Sequence, residues 1–464
     1  MASAIVVVWN VDMTQTDSPM DGSFGPDQDS SNTAQANSHG DDSLRANSSR
    51  KGRPQPVRRT LVAAHRWVAL VVGSALLVIM SSGVPLLWGA ELFRAHNADL
   101  YQPTQTTTYL TAGDALARVK AAHPEFGAGS ITKDEGMYLV ADPSLNLIYG
   151  VDPGSGRITG SGHFYGGFLG VMANLHAFGL SSPFFPGYVP FMAHKIPSFG
   201  IAQLEGVTYG SSLVGFLGLM LVLLALSGIF MWWPGIKHFA GGFRIRWSKK
   251  NGYVRGRELH KVAGIFAVPF LLMWGVTGAA ANFPFVQQGL LAVTGGHTDH
   301  ADVKSLNSSF ASDISTAPSK QDIGVDAAAN AALARVGGVV TTSILPDPSD
   351  PASAYLFEIK QPSGDPYSHT MFAGNGWVNV DRYNPDHVKV VWGGHGSTAQ
   401  NTFYEQVLYP SHFGWYVNGW WRAIWAIFGL TPLLLGITGV STWLVRIRKA
   451  RAREARQRAR TATA

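Results

Sequence analysis

Residues 257–285 read RELHKVAGIFAVPFLLMWGVTGAAANFPF, in which a histidine, His260, stands at the start of a long apolar run. A helical run of this length can cross a hydrocarbon core of about 30 Å, which needs roughly 20 apolar residues. His260 could therefore be an interfacial anchor, a packed core residue or a ligand for a group held inside a membrane. One histidine cannot distinguish these roles.

Composition assigns the chain to the membrane proteins. Of its 464 residues 46% are hydrophobic and 14% charged, and the apolar residues are gathered into blocks. Four blocks are long enough to span a bilayer, which predicts transmembrane helices at residues 57–90, 208–234, 258–284 and 418–446. The expected fold is a mainly α membrane protein built on a four-helix transmembrane bundle.

Basic residues lie on one side of the predicted bundle. The loop 235–257 and the tail 447–464 are rich in arginine and lysine, so the positive-inside rule places them, with both termini, in the cytoplasm. The connections 91–207 and 285–417 carry more acidic than basic residues and are expected outside. Residues 1–56, rich in Ser, Asp, Asn and Gly, are expected to be a disordered cytoplasmic tail. The net charge of +6 reflects these membrane edges, and nothing favours nucleic-acid binding.

The chain also repeats itself. Two histidines are each followed seventeen residues later by a Ser/Thr-Gly pair, His65 by Ser82-Gly83 and His260 by Thr277-Gly278. Two further pairs each precede a tryptophan by the same interval, Ser227-Gly228 and Thr438-Gly439. We therefore expect two duplicated halves, each made of a helix, an outside domain and a helix. Close packing of helices through small residues is a sufficient explanation for the Ser/Thr-Gly pairs themselves.

The two outside connections contain similar patterns. Residues 111–160 and 322–392 each read as a short amphipathic helix followed by strands that turns connect. Each is expected to form a small α+β module with a helix on an antiparallel sheet.

Four histidines fall at two depths of the predicted bundle. His65 and His260 begin the first and third helices, near the inner surface, whereas His176 and His412 precede the second and fourth, near the outer surface. Taken singly, each is explained as an anchor or a cap. Together they are what two six-coordinate haems need, because each iron takes two axial imidazoles from facing helices. Cysteine is absent, which excludes disulfides, thiolate metal sites and covalent haem attachment through C-x-x-C-H.

The order of several motifs resembles the PepSY-associated transmembrane family of bacterial inner membranes, whose members are often iron-regulated and include haem-containing ferric-siderophore reductases. The likeness covers about residues 57–449 and rests on the two modules and on the segments AHRWVAL, NLHAFGL, LSGIFMWWP, ELHKVAGIF and SHFGWYVNGWWRAIWAIFGLTPLLLGITGVSTWL. It implies that the modules are PepSY-like domains. It also implies that His65, His176, His260 and His412 ligate two non-covalent b haems.

The same resemblance implies a direction of electron transfer and a substrate. Electrons would pass from the cytoplasmic side to a ferric siderophore or another Fe(III) chelate outside the bacterial inner membrane. The sequence contains no obvious flavin or nicotinamide motif, so a separate cytoplasmic reductase or a quinol is needed as the donor.

One departure from the duplication concerns the outer histidines. From His412 to Thr438 there are 26 residues, but from His176 to Ser227 there are 51, so about 25 extra residues surround SSPFFPGYVPFMAHKIPSFGIAQLEG. Either this insert folds over the outer membrane surface and leaves His176 on a short helix, or His194 within it takes over as ligand. The first alternative is favoured, because His194 stands in a loop punctuated by proline.

Other features have a functional and an ordinary interpretation. His297, Asp299 and His300 are close enough in sequence to contact one ion, but a solvated loop is the default. Four tryptophans could pack on porphyrin faces, although interfacial tryptophans are the commoner case: Trp67, Trp274, Trp415 and Trp421.

Two other classes of function remain as alternatives to electron transfer. A non-redox sensor, scaffold or binding protein would use the helices only to display the outside modules. A transporter built from repeats is disfavoured, because the halves run parallel and no acidic residue interrupts a span. No hydrolase motif is present.

Overall fold

In the part of the chain that the structure describes, four helices are long and apolar enough to cross a membrane. The computed structural model describes residues 56–144, 146–164, 166–201, 204, 206–245, 252–296, 310–315, 321–360, 376–392, 398–414 and 420–462. Within this part of the chain the candidate spans are Val57–His96, Tyr209–Trp232, Gly252–Asn282 and Arg422–Ala462. The protein is a multi-pass membrane protein, as predicted. The expected disordered tail, 1–56, falls outside the described residues except for Pro56.

The elements follow one another in a similar order in the two parts of the chain. The first part contains α1 (Pro56–Gly83), α2 (Gly89–His96), α3 (Ala112–Ala122), β1 (Ser130–Asp134), β2 (Met137–Ala141), β3 (Ile148–Val151), β4 (Ile158–Gly162), α4 (Gly167–Phe178) and α5 (Tyr209–Trp232). The second contains α6 (Gly252–Asn282), α7 (Pro284–Thr294), α8 (Val325–Val336), β5 (Val339–Ile344), β6 (Tyr355–Lys360), β7 (Gly376–Val380), β8 (Val388–Trp392), α9 (Ala399–Phe403), α10 (Tyr409–His412), α11 (Trp421–Gly429) and α12 (Thr431–Ala462). A π-helical turn, Tyr404–Leu408, joins α9 to α10.

Two of the spanning helices extend further than the sequence predicted. Helix α6 begins at Gly252, inside the predicted loop 235–257, and α12 continues through the predicted tail to Ala462. The extension of α12 is rich in alanine and arginine, which are strong helix formers. Arg460 in its last turn also interacts favourably with the carboxyl end of the helix dipole. The basic segments are therefore partly helical continuations of the spans.

The spanning helices pack through small residues and a leucine-rich core. Between α5 and α6, a Cβ added to Gly218 would lie 2.8 Å from the carbonyl oxygen of Gly275, so only glycine permits this approach. Leu76 of α1, Leu217 of α5 and Leu271 of α6 are buried together nearby. The interior of the bundle is accordingly apolar.

The two predicted modules are joined in one sheet. Its eight strands are antiparallel in the order β4-β3-β2-β1-β5-β6-β7-β8, and β1 pairs with β5 in the centre, where Ile131 lies opposite Ser343. The sequence predicted two small modules and did not indicate this pairing. It covers strand edges that would otherwise expose unpaired backbone groups.

Helices α3 and α8 cover one face of the sheet. Val119 of α3 and Ala328 of α8 are fully buried there against Val140 and Phe357. The helices also contact each other, because the Thr111 hydroxyl at the start of α3 donates a 2.7 Å hydrogen bond to the Asp326 carboxylate. One hydrophobic core thus includes both modules.

The opposite face of the sheet is attached to the membrane helices through α2. Phe93 packs against Leu139 in a second hydrophobic cluster. Arg94 donates two hydrogen bonds to the Asp134 carboxylate, at 3.0 and 2.6 Å, and the Tyr101 hydroxyl donates a third at 2.9 Å. Burial and the Asp134 carboxylate raise the pKa of Tyr101. These contacts fix the sheet to one end of the bundle, which we call the sheet end; the other is the basic end.

Candidate functional site

The four predicted histidines form one pair at each end of the bundle. His65 on α1 and His260 on α6 lie at the basic end, and His176 on α4 and His412 on α10 lie at the sheet end. Residues 65 and 82 are seventeen positions apart on α1. At 1.5 Å per residue this separates the two ends by about 25 Å along the helix axis.

The sheet-end pair brings two imidazole rings close together. The ring centres of His176 and His412 are 6.0 Å apart, with the ring planes inclined at 60°. Nδ1 of His176 is 2.7 Å from the backbone carbonyl oxygen of Ile79. Nδ1 of His412 is 2.7 Å from the Thr277 hydroxyl. Helices α1 and α6 therefore orient side chains that α4 and α10 supply.

The basic-end pair has the same type of support. Nδ1 of His65 is 2.8 Å from the Ser227 hydroxyl on α5. Nδ1 of His260 is 3.1 Å from the Leu435 carbonyl oxygen and 3.0 Å from the Thr438 hydroxyl, both on α12. The two imidazoles are close enough to interact electrostatically.

Each imidazole also lies against the glycine of a Ser/Thr-Gly pair. An added Cβ would approach Cε1 of the facing histidine to 2.5 Å at Gly83, 3.6 Å at Gly278, 3.6 Å at Gly439 and 4.0 Å at Gly228. From the sequence, helix packing was a sufficient explanation for the Ser/Thr-Gly pairs. In the structure their glycines also lie against the imidazoles, so packing between helices is only part of their role. The equal spacing of His65 and His260 from such pairs was the sequence signal for these contacts, but it did not indicate which pair meets which histidine.

The hydrogen bonds leave one nitrogen of each ring available. A carbonyl oxygen can only accept, so Nδ1 of His176 and of His260 carries the proton. Nε2 of each then keeps its lone pair, which is the form that ligates a metal. The arrangement can present neutral imidazole donors within an apolar bundle.

His194 is placed apart from the sheet-end pair. Its ring packs against Phe191 and Tyr209, with centres 5.9 and 6.2 Å away. The Asn174 amide of α4 instead ties the insert down by donating to the carbonyl oxygens of Ser182, Phe185 and Pro186 at 3.0, 3.3 and 3.2 Å. His176 thus lies on a short helix that the insert contacts.

Two tryptophans support the turn that carries His412. The Trp274 indole donates a 3.1 Å hydrogen bond to the His412 carbonyl oxygen, and the Trp425 indole donates one of 2.9 Å to that of Ser411. The role of Trp425 had no signal in the sequence. Trp67 is 57% exposed, as expected of an interfacial residue. Trp415 and the side chain of Trp421 fall outside the described residues.

Across the described ranges there is no group of three or more His, Asp or Glu side chains that could hold a metal ion. A site with only two protein ligands would not meet this criterion, which requires at least three side chains. The candidate group His297, Asp299 and His300 falls outside the described residues.

Comparison with known proteins identifies the family. The family model described as the PepSY-associated TM region matches residues 62–446. The chain belongs to this family. The matched region of this PepSY-associated TM protein includes all four histidines and both parts of the sheet. A search of curated proteins finds no match.

Proposed function

We propose that this PepSY-associated TM protein carries electrons across the membrane through two non-covalent b haems and reduces Fe(III) complexes, such as ferric siderophores, on the outer side. His65 and His260 would hold one haem, and His176 and His412 the other. The single observation that carries the proposal is the facing arrangement of His176 and His412, whose ring centres are 6.0 Å apart.

The sheet-end pair fits iron ligation in its spacing and its donors. Metal–imidazole bonds of about 2 Å to one nitrogen of each ring would separate the ring centres by about 6 Å. That value agrees with the 6.0 Å between His176 and His412. Nδ1 of each ring is engaged by its own hydrogen bond, so Nε2 is the ligating atom. When bound, a haem with two imidazole ligands supplies reversible one-electron transfer between Fe(III) and Fe(II).

The side chains between the two pairs would exclude water from the electron path. Phe270 of α6 stacks on Phe428 of α11 with ring centres 4.0 Å apart, and it lies 5.6 Å from Trp274. Trp274 in turn holds the backbone of His412. A dry, aromatic interior with fixed dipoles needs little reorganisation when charge moves through it.

The proposal includes the internal duplication and two PepSY-like modules. In the first module Asp152 follows β3, is fully buried and accepts a 3.0 Å hydrogen bond from the Thr104 amide. In the second Asp381 follows β7, is equally buried and accepts one of 2.7 Å from the Asp313 amide. The matching strand order on the two sides of the β1–β5 pairing supports a common origin.

Charge supports the proposed orientation, and the electron balance is compatible with a quinol as donor. We place the basic end, with the arginine-rich extension of α12, in the cytoplasm of a bacterial inner membrane. Each Fe(III) takes up one electron, so two ferric ions accept the two electrons released by one quinol. The sequence contains no obvious flavin or nicotinamide motif, so the donor would be a membrane quinol or a cytoplasmic reductase. Reduction weakens the hold of hard oxygen chelators on the iron, which releases Fe(II).

Haem content of the purified protein tests the proposal directly. Protein from haem-replete cells should contain two b haems per chain and show a low-spin absorption spectrum. His260→Ala should remove about half of the haem, measured as the pyridine haemochrome. The matched control is His194→Ala, which should retain both haems because His194 lies outside the pair. Colourless wild-type protein would refute the electron-transfer function and favour the non-redox scaffold.

Reduction of Fe(III) is tested separately. Cells that express the protein should reduce an external ferric hydroxamate, with Fe(II) captured by a ferrous-specific dye. His412→Ala should abolish the increase over cells without the protein, while His194→Ala should preserve it. Equal rates in all of these cells would exclude the substrate assignment even if haem is bound.

A further inference from the structure

The acceptors at Nδ1 divide the four histidines into two types. His176 and His260 each contact a backbone carbonyl oxygen, that of Ile79 at 2.7 Å and that of Leu435 at 3.1 Å. No side-chain substitution removes a backbone carbonyl. These two imidazoles are carbonyl-held.

The other two imidazoles are hydroxyl-held. The Nδ1 contacts found in the described part of the chain are with Ser227, 2.8 Å from His65, and with Thr277, 2.7 Å from His412. The Ser227 hydroxyl donates its proton to the Leu223 carbonyl oxygen at 2.7 Å. A hydroxyl has one proton, so its oxygen then accepts from Nδ1–H of His65.

The Thr277 hydroxyl works in the same way. It donates at 2.6 Å to the carbonyl oxygen of Met273, one turn earlier on α6. Its oxygen is left to accept the proton of His412 Nδ1. Each pair therefore combines one carbonyl-held and one hydroxyl-held imidazole: His260 with His65, and His176 with His412.

We infer that Ser227 and Thr277 are positioning residues that set the electron-donating strength of one axial ligand at each haem, and so adjust the two potentials independently. This inference rests on the proposed haem ligation. A hydrogen bond accepted from Nδ1–H raises the basicity of Nε2. A more basic Nε2 favours Fe(III) over Fe(II). Loss of either hydroxyl should therefore raise the reduction potential of the haem at that end.

The size of the shift in reduction potential is worked out from the hydrogen-bond partners of ligating histidines in other metal sites. Loss of such a partner typically changes metal affinity by about tenfold or more. A tenfold change in the preference for Fe(III) over Fe(II) equals about 59 mV for a one-electron couple. Ser227→Ala should shift the basic-end haem, and Thr277→Val the sheet-end haem, by about this amount.

The Ser82-Gly83 pair provides a matched control. The Ser82 hydroxyl donates a 2.7 Å hydrogen bond to the Ile79 carbonyl oxygen, the same oxygen that accepts the proton of His176 Nδ1. Ser82 is therefore not itself the acceptor for His176. Thr438 is not equivalent, because its hydroxyl lies 3.0 Å from Nδ1 of His260 and shares that proton with the Leu435 carbonyl oxygen at 3.1 Å. Ser82→Ala should leave both haem potentials near their wild-type values.

The experiment is a redox titration of the full-length protein, monitored through the haem absorption bands. The inference is supported if Ser227→Ala and Thr277→Val each raise one potential, and not the same one, while Ser82→Ala raises neither. It is overturned if all three variants retain two haems at their wild-type potentials, a result that leaves the proposed function intact. Absence of haem from the wild type would instead refute the proposed function.

Conservative replacements cover the case in which a variant loses its haem. Ser227→Thr and Thr277→Ser restore a hydroxyl and should restore haem and potential. Recovery supports the positioning role. Loss of haem from Ser227→Thr as well as Ser227→Ala would overturn it, because the hydroxyl would then not be the required group.

Discussion

Replacement of Gly83 by alanine should displace His176. A Cβ at this position would lie 2.5 Å from Cε1 of the imidazole, 2.8 Å from Nδ1 and 2.9 Å from Nε2. Ordinary contacts between such atoms are about 3.5–4.0 Å, so the ring would have to move by about 1 Å. That movement would stretch the 2.7 Å hydrogen bond from Nδ1 to the Ile79 carbonyl oxygen beyond bonding range.

The expected cost is a few kilocalories per mole. Overpacking of a well-packed interior costs about 1–3 kcal/mol, and loss of a hydrogen bond adds about 0.5–1.5 kcal/mol. Gly83→Ala should therefore destabilise the folded protein by about 2–4 kcal/mol. If the sheet-end haem is ligated by His176, the same variant should also lose that haem's share of the absorbance.

Gly228→Ala is the matched control for this experiment. A Cβ added there would lie 4.0 Å from Cε1 of His65, which is an ordinary contact. Thermal unfolding of both variants in the same detergent, monitored by near-ultraviolet circular dichroism, compares their stabilities. A Gly83→Ala protein as stable as Gly228→Ala, with the same haem content, would refute the assigned packing of His176 on α1.

Three other side chains give measurable predictions. Asp134→Asn removes the charge that Arg94 contacts with two hydrogen bonds and should lower stability by about 1–2 kcal/mol in thermal unfolding. Asn174→Ala leaves the carbonyl oxygens of the insert 181–206 without their donor; we expect a loss of about 1–3 kcal/mol and faster proteolysis of the insert. For Asp381, burial raises the pKa, but hydrogen bonds from the Asp313 amide and His387 outweigh it, so the pKa lies below its ordinary value. Its contribution to stability is then present above about pH 4 and lost as pH falls through the lowered pKa; Asp381→Asn should flatten this part of the melting temperature profile.

An exposed carboxylate serves as the control for Asp134→Asn. Asp99→Asn alters an exposed carboxylate and should leave the melting temperature unchanged. If Asp99→Asn and Asp134→Asn had the same melting temperature, the contact of Asp134 with α2 would not stabilise the fold. Wild-type proteolysis rates after Asn174→Ala would contradict the anchoring role of that amide. A parallel pH profile for Asp381→Asn and the wild type would contradict the assigned titration.

Local properties of the chain were sufficient to predict the membrane class and which histidines share an end of the bundle. A span reveals itself by length and hydropathy, because every backbone polar group in lipid must be satisfied within its own helix. The interval between His65 and Ser82 fixes their separation on one helix, since the helical rise per residue is constant. Helix ends were less accurate, as α6 and α12 show, because helices continue beyond the membrane where the residues favour it.

Contacts between distant parts of the chain were decided by the tertiary structure alone. The fused sheet depends on β1 meeting β5, whose residues Ile131 and Ser343 are far apart in sequence. The Ser227 hydroxyl reaches His65 across 162 positions, from another helix. Sequence spacing shows which groups share a depth, but not which faces of two helices meet. That depends on how the whole bundle packs, and it determines which acceptor each imidazole finds.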